Sequence, residues 1–337
     1  MVHVDYVWVD GLTSPLIRSK TKIVTPVVGD SGNMEIPVAE WNFDGSSTHQ
    51  ATTEDSERII QPQRIYKLSD QHYVALCEVC MPDENRTPHP TNYRAVLRER
   101  LQATTVEDLW LGFEQEFFFT KNGKNVMWPK DGLPIDDTRY YCSSGGPIKF
   151  RKLIREHASL CNSSNVNVVG YNTEVSPGQW EYQVFASDPL QACDDLWISR
   201  YLLQLSSETY GIGVNWHPKP YEDWNGSGCH TNFSSKSMRE TGGEEMFKSI
   251  MARASTLHSA HMELYGTLND RRMTGIHETS SYDHFTYAAG SRGVSIRIPS
   301  STVASTWKGY AEDRRPASNC DPYRVACCVL EYVEKDV

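Results

Sequence analysis

"LWLGFEQEFFF", residues 109–119, is the stretch on which the fold turns. It is too aromatic for a loop and reads as a strand, in which positions i and i+2 share a face. One face carries Glu114, Glu116 and Phe118; the other carries Phe113, Gln115, Phe117 and Phe119. Two carboxylates therefore aim the same way. A solvated strand face would account for them. A site needing paired negative charge is the alternative. At about 4 Å, two such charges repel by about 4 kcal/mol at an effective dielectric of about 20. Away from water the pair calls for a proton or a cation.

Upstream the chain is β-rich. "HVDYVWVDG" alternates and ends in a turn signal, and "RIYKLSD" and "YVALCEVC" read as further strands. The polar, proline-bearing "MPDENRTPHPTNYR" is a link, and the helical pattern of "TNYRAVLRERLQAT" follows, with Thr91 or Asn92 as N-cap. This places a domain boundary near residue 90, giving domains 1–89 and 90–337. Downstream, helices are expected in "IKFRKLIREHASLC", in "SDPLQACDDLWISRYLLQLSSETYG" with Gly211 as its stop, and as one helix in "EEMFKSIMARASTLHSAHMELYG". "GSGCHTNFS" and "GVSIRIP" are short and β-like, and "GIGVNWHP" reads as a helix end running into a turn.

With 337 residues, 39% hydrophobic and 23% charged, the chain has room for two domains and a large core. A net charge of −10 argues against nucleic acid as main partner. No apolar run nears the roughly 20 residues that span a membrane, and no signal peptide is evident. Nine scattered cysteines then read as reduced thiols, implying a cytoplasmic protein. "CEVC" at Cys77 and Cys80 has no second pair at zinc spacing and reads as buried strand. There is no G-x-x-x-x-G-K-[ST] loop and no G-x-G-x-x-G after a strand, so any nucleotide is held by other means.

More acids recur in short turn-rich or strand-like contexts. Glu174 and Glu181 flank the Ser-Pro-Gly turn of "TEVSPGQWEYQV", which could fold two strands so that both meet; a surface hairpin is the alternative. His230 lies in "NGSGCHTNF", and Glu312 opens "EDRRP". Oxygen ligands with one imidazole suit Mg²⁺ or Mn²⁺ better than zinc. Arginines come late: Arg271 and Arg272, Arg292 and Arg297, Arg314 and Arg315. Arg297 stands inside an apolar strand with Ile296 and Ile298 on its other face. Carboxylates for metals and arginines for phosphates suit phosphoryl transfer, where positioning and charge neutralisation dominate. Asp44, in "WNFDGSSTHQA", opens a natural turn.

"WNFDGSST", "EQEFFF", "EVSPGQWEYQV", "NGSGCHTNFSSKSMRE", "RRMTGIHETSS", "SRGVSIRIP" and "KGYAEDRRPASNCDPY" together resemble, in order, the signature segments of eukaryotic-type glutamine synthetases, from about residue 4 to near 330. The resemblance implies an α+β fold: an N-terminal β-grasp domain and a C-terminal catalytic domain whose curved antiparallel sheet forms a bifunnel flanked by helices. It implies ATP-dependent joining of L-glutamate and ammonia through γ-glutamyl phosphate, with two or three Mg²⁺ or Mn²⁺ per site. By the same resemblance, Glu116, Glu174 and Glu181 hold the metal near the substrate carboxylate. Glu114, His230 and Glu312 hold the metal on the ATP phosphates, and Arg292 and Arg297 stabilise the transferring phosphoryl group and the nucleotide. Arg272 and Arg314, with the Trp224-Asn225-Gly226 turn, match the glutamate positions. Asn232, Ser234, Tyr310 and Trp110 match the nucleotide side. Asp44 matches the ammonium site, contributed across a subunit interface, and Glu278 the flap that covers the intermediate. Pentameric rings, paired into a decamer, are the implied assembly.

The chain departs from that pattern in places. It starts almost on its first strand, without the helical extension usual there, which bears on inter-subunit contacts. "YYCSSGGPIKFRK" is shorter than the usual segment. Ser300 stands where a basic residue is usual, glycines common before "KGY" are missing, and Phe185 replaces a usual glycine. These lie near nucleotide-side or loop positions, and none removes a proposed ligand. Two other readings stay open: a ligase joining glutamate to a polyamine or another amine, and a non-catalytic structural relative.

Overall fold

The computed structural model describes residues 1–29, 33–128, 140–145 and 148–334. Gly146 and Pro147 of the shortened segment lie outside the described residues. The first 80 residues give β1 (Val2–Val9), β2 (Ile17–Val24), β3 (Val27–Val28), β4 (Met34–Glu35), β5 (Trp41–Asp44), β6 (Glu57–Ser69) and β7 (His72–Cys80). Next come α1 (Tyr93–Ala103), β8 (Trp110–Lys121), β9 (Lys124–Asn125), α2 (Arg151–Ser163), β10 (Val168–Thr173), β11 (Gln179–Ala186), α3 (Pro189–Thr209), β12 (Gly213–Asn215) and β13 (Cys229–Ser234). The chain ends with α4 (Lys236–Glu240), α5 (Glu244–Thr256), α6 (His258–Leu264), α7 (Asn269–Arg272), β14 (Tyr287–Ala289), β15 (Ile296–Ile298), α8 (Ser300–Ala304), β16 (Ala311–Asp313) and α9 (Pro322–Val333).

Period-two alternation builds the first sheet, ordered β2-β1-β7-β6-β5. In β1, Val2, Val4, Tyr6 and Trp8 enter a small core with Phe43, Ile60 and Val79, while Val7 on the other face joins the large core. β1 runs parallel to β7, and the remaining pairs are antiparallel.

The second sheet runs β10-β11-β8-β13-β16-β15-β14, with β9 and β12 also on β8. Its ladders are antiparallel apart from β14–β15. The odd face of β8 buries Phe113, Phe117 and Phe119 in the large core with residues of α2, α3 and α9. Gln115, also buried there, accepts from Arg200 Nε of α3 at 2.8 Å. The opposite face, with Glu114 and Glu116, is thereby left to the concave side. The whole is an α+β arrangement of curled sheets and helices.

Capping follows the sequence. Asn92 accepts from the Ala95 N–H at the start of α1, Asp188 from Gln191 N–H before Pro189 of α3, and Asp321 from Tyr323 N–H before Pro322 of α9. Past α3, Gly211 takes φ 62°, a left-handed value that stops a helix cheaply only at glycine. Arg94 on α1 joins the layers, donating bidentately to Asp194 of α3 at 2.9 Å and to Glu78 of β7 at 2.8 Å.

Two expectations need correction. The single helix expected after residue 243 is two, α5 and α6, broken at Leu257. His258, just past the break, binds the Tyr282 carbonyl at 2.9 Å, a tertiary contact that an uninterrupted helical pattern does not anticipate. "GIGVNWHP" contributes β12, which pairs with Phe118–Thr120 of β8 rather than running straight into a turn.

Candidate active site

Register alone gathers the acids. Glu116 stands opposite Glu181 on β11, and Glu114 opposite His230 on β13. Glu312 on β16 lies opposite Asn232 of β13 and Arg297 of β15. The Ser-Pro-Gly turn joins β10 to β11, with the Glu174 N–H bonded to the Gln179 carbonyl at 3.0 Å. Two groups of three result: Glu116, Glu174 and Glu181, and Glu114, His230 and Glu312. In each, the candidate ligand atoms lie within 4.8 Å of one another. His230 Nδ1 is 3.6 Å from both Glu114 Oε2 and Glu312 Oε1, and 4.0 Å from Glu116 Oε1.

The acids are held by directed donors. Glu116 Oε2 accepts from the Gly228 N–H at 2.7 Å and from Gln179 Nε2 at 3.1 Å. Glu174 accepts from Asn172 Nδ2 at 3.0 Å and the Val175 N–H at 3.1 Å, and Asn232 Nδ2 donates to Glu114 at 2.8 Å. Glu181 is bonded by Gln183. Amides orient these carboxylates without neutralising them. Burial, then the charge of Glu174, raises the Glu116 carboxyl above its usual range. Burial raises Glu174, and burial followed by Glu114 and Glu116 raises Glu181. His230 is pushed well below its usual value by burial and then by Arg314, so its imidazole is neutral and can act as a ligand. An oxygen-rich set with one imidazole fits hard divalent cations.

Arginines close the other side. Arg314 Nη1 donates to Glu312 Oε1 at 2.7 Å, and its Nε donates to the Arg292 carbonyl at 2.9 Å. Arg297 is paired with the same Glu312. Arg272, 2% exposed, is fixed by Asn269 at 2.9 Å and the Arg315 carbonyl at 2.6 Å, and burial lowers it to about 10. A cavity of about 170 Å³ is lined by Glu114, Glu116, Glu174, Glu181, His230, Arg272, Arg292 and Arg314, with Asn225, Gly226 and Glu278 at its walls. His277 and Glu278 hold φ values of 54° and 60°, strained for residues with a Cβ, which marks this loop as positioned by its surroundings.

A second, more apolar cavity of about 420 Å³ adjoins the first through Glu114, which lines both. It collects Trp110, Asn232, Ser234 and Tyr310. Trp224 is buried behind the first cavity, its carbonyl accepting from Lys219, while the Asn225 carbonyl accepts from Ser176 at 3.1 Å. Asp44 is the outlier. It is exposed on the first sheet, accepting from the Ser46 N–H at 3.0 Å, whereas the residues lining the cavity within one chain fall between Glu114 and Arg314.

Several residues at the site escaped sequence reasoning. Gln179 is buried and bonds both Glu116 and the Gly226 carbonyl, at 3.1 and 2.9 Å. Tyr141 and Thr279 line the first cavity. Arg239 lies over the Trp110 ring at 3.8 Å in the second. Gln179 sits between two flagged glutamates, a position that could have drawn notice; Arg239 carries no local signal.

Two carboxylate-rich groups facing arginines, on an α+β scaffold, make a cleft whose donors suit divalent cations and anionic ligands. Known proteins narrow the class. The family model for the glutamine synthetase catalytic domain matches residues 91–333. A glutamine synthetase of Bradyrhizobium diazoefficiens is 40% identical, over 98% of this chain and 95% of its own. That of Hebeloma cylindrosporum is 41% identical over 98% and 92%, and the chloroplastic one of Oryza sativa 42% over 97% and 77%. The fold is similar to that of a Plasmodium falciparum glutamine synthetase determined by cryo-electron microscopy, with a TM-score of 0.75 over 98% of this chain and 71% of the other, at 18% identity. The chain belongs to the glutamine synthetase family.

Proposed function

We infer that this chain is a glutamate–ammonia ligase, using ATP and divalent metal to make L-glutamine, ADP and phosphate. The observation that carries the reading is the pair of carboxylate-rich groups on one sheet face. Glu116, Glu174 and Glu181 would hold one Mg²⁺ or Mn²⁺, and Glu114, His230 and Glu312 another, with room in the reading for a third. Bound there, the ions supply the positive charge that lets a carboxylate and a triphosphate, both anions, approach.

The protein's own groups do the rest. Arg272 and Arg314, with the Trp224–Gly226 turn, hold glutamate so that its side-chain carboxylate faces the γ-phosphate. Trp110, Asn232, Ser234 and Tyr310 hold the nucleotide. Arg292 and Arg297 stabilise the phosphoryl group as it passes to the carboxylate oxygen, giving γ-glutamyl phosphate. The Glu278 loop excludes water, which would hydrolyse an acyl phosphate, and its carboxylate takes a proton from the ammonia adduct as phosphate leaves. Asp44 of a neighbouring copy binds ammonium and draws off its proton. That it does not line the cavity in its own chain supports an assembly with sites between subunits, in pentameric rings and a decamer. Residues 1–89 and 90–337 are the two domains on this reading, and a cytoplasmic location accompanies it. Among the described residues no helix is long and apolar enough to cross a membrane.

A coupled assay tests this. Phosphate release should need glutamate, ammonium, ATP and Mg²⁺ together, and most of it should vanish without ammonium. Putrescine outcompeting ammonium would favour the polyamine reading; no turnover in folded protein would favour the structural one.

A further inference from the structure

A third group of side chains meets the same ligand geometry and lies outside the active site. His261 on α6 and Cys328 and Glu331 on α9 each offer a donor atom, and the three atoms lie within 4.8 Å of one another. Cys328 and Glu331 are three residues apart on one helix and so share a face. His261 comes from the helix packed against it, its Nε2 2.8 Å from Glu331 Oε2. His261 and Cys328 are each 1% exposed, whereas the Glu331 side chain is 35% exposed, which gives an ion a way in.

We propose that His261, Cys328 and Glu331 form a binding site for a borderline divalent cation of the zinc type, separate from the catalytic cages. The donor set is the argument. Both catalytic groups are rich in carboxylate oxygen and contain no sulfur. This one offers thiolate, imidazole and carboxylate, the mixture that selects Zn²⁺ over Mg²⁺. One thiolate and one carboxylate balance a dication. Arg100 Nη2 bonds the far oxygen, Glu331 Oε1, at 2.7 Å, which orients the carboxylate and leaves Oε2 turned inward. His261 Nδ1 is buried without a hydrogen-bond partner, so an ion-pair role alone leaves the ring half satisfied. Burial lowers the His261 imidazole and raises the Cys328 thiol, so a bound ion would have to displace the thiol proton. The ion would tie α6 to α9 behind β16. There Tyr265 and Tyr332 both donate to Asp313, at 2.9 and 3.2 Å, next to Glu312.

The test uses the full chain, stripped with chelator and titrated with Co²⁺ in excess Mg²⁺ that fills the oxygen sites. One equivalent of Co²⁺ should give the near-ultraviolet charge-transfer band of a Co–thiolate bond, and Zn²⁺ should bleach it. Cys328→Ser should lose the band, and Glu331→Gln should bind at least about tenfold more weakly. Glu116→Gln, a change in the catalytic cage, should keep it. Absence of the band in the unaltered protein, or its persistence in Cys328→Ser, overturns the proposal. So does unchanged affinity in Glu331→Gln, which needs no change at the buried cysteine. In those cases the cluster is an Arg100–Glu331 ion pair with His261 hydrogen-bonded to it and nothing more.

Discussion

Glu116→Gln keeps the shape of the side chain and removes its charge. In the protein without metal, Glu116, Glu174 and Glu181 offer oxygens within 4.8 Å of one another. At that separation each fully ionised pair costs about 3–4 kcal/mol at an effective dielectric of about 20. Protonation relieves part of this, since all three carboxyls are raised. The glutamine carbonyl can still accept from the Gly228 N–H and Gln179, as Glu116 Oε2 does. We therefore expect the variant to be more stable than the parent in EDTA, by about 1–3 kcal/mol or about 1–4 °C in Tm for a chain of 337 residues. Mg²⁺ should reverse the order. A ligand at about 100 times its Kd adds about 2.7 kcal/mol to the parent and much less to a variant lacking one ligand charge. The sign extends to pH. Between the unfolded carboxyl value of 4.5 and the raised folded values, the folded metal-free protein holds protons that the unfolded chain has lost. Its stability thus falls as pH rises through that window, and Mg²⁺, which displaces those protons, should restore more near pH 8 than near pH 5.5. Thermal melts at fixed protein concentration, with and without Mg²⁺, read all of this, and phosphate release should be lost. A variant that melts below the parent in EDTA, or gains as much from Mg²⁺, would refute the reasoning.

Asp44→Ala should raise the KM for ammonium more than that for glutamate, since Asp44 is exposed and its lost bonds to Ser46 and Ser47 are local; equal shifts count against its role. Phe185→Gly should raise the KM for ATP about 2- to 10-fold with little change for glutamate, because the ring packs edge-on against Trp110 at 5.9 Å in the apolar cavity, a contact of about 0.5–1.5 kcal/mol. An unchanged KM for ATP would place the nucleotide elsewhere. Arg315→Met should destabilise by about 3–5 kcal/mol, because it strands the fully buried Asp313, which Arg315 Nη2 bonds at 2.7 Å. Adding Asp313→Asn should recover part of that loss in urea melts, and a single-variant cost below about 1 kcal/mol would show the pair to be structurally idle.

What could be read in advance divides along a physical line. Alternation in β8, the Ser-Pro-Gly turn and the proline-led start of α3 are local, and each formed. The convergence of Glu114, His230 and Glu312 was not local: it came from resemblance, and spacing alone favoured a solvated strand and a surface hairpin. The break at Leu257 carries no local signal; beside it His258 binds the Tyr282 carbonyl, 24 residues away. Arg239 and Gln179 escaped for the same reason, since each matters only through a partner brought near by the sheet. β12 is three residues long and pairs with the end of β8, too little pattern to register in the sequence.

The chemistry of the site and the packing of the core are one constraint seen from two sides. A strand has a side-chain period of two, so a shift of one residue would turn Glu114 and Glu116 into the core and the phenylalanines out. Phe113, Phe117 and Phe119 are each at most 1% exposed and belong to the large core. Burying one such ring contributes about 1.5–3 kcal/mol, so three together oppose a slip by several kcal/mol. That exceeds the cost of about 3–4 kcal/mol for any one ionised pair in the cage, and protonation of the raised carboxyls relieves the other pairs. Hydrophobic burial on the odd face therefore holds the acids together before any metal arrives, and the stored repulsion becomes affinity for the cation. Charge alone could not have assembled this cage, and a core-facing strand without those acids would have no use for one.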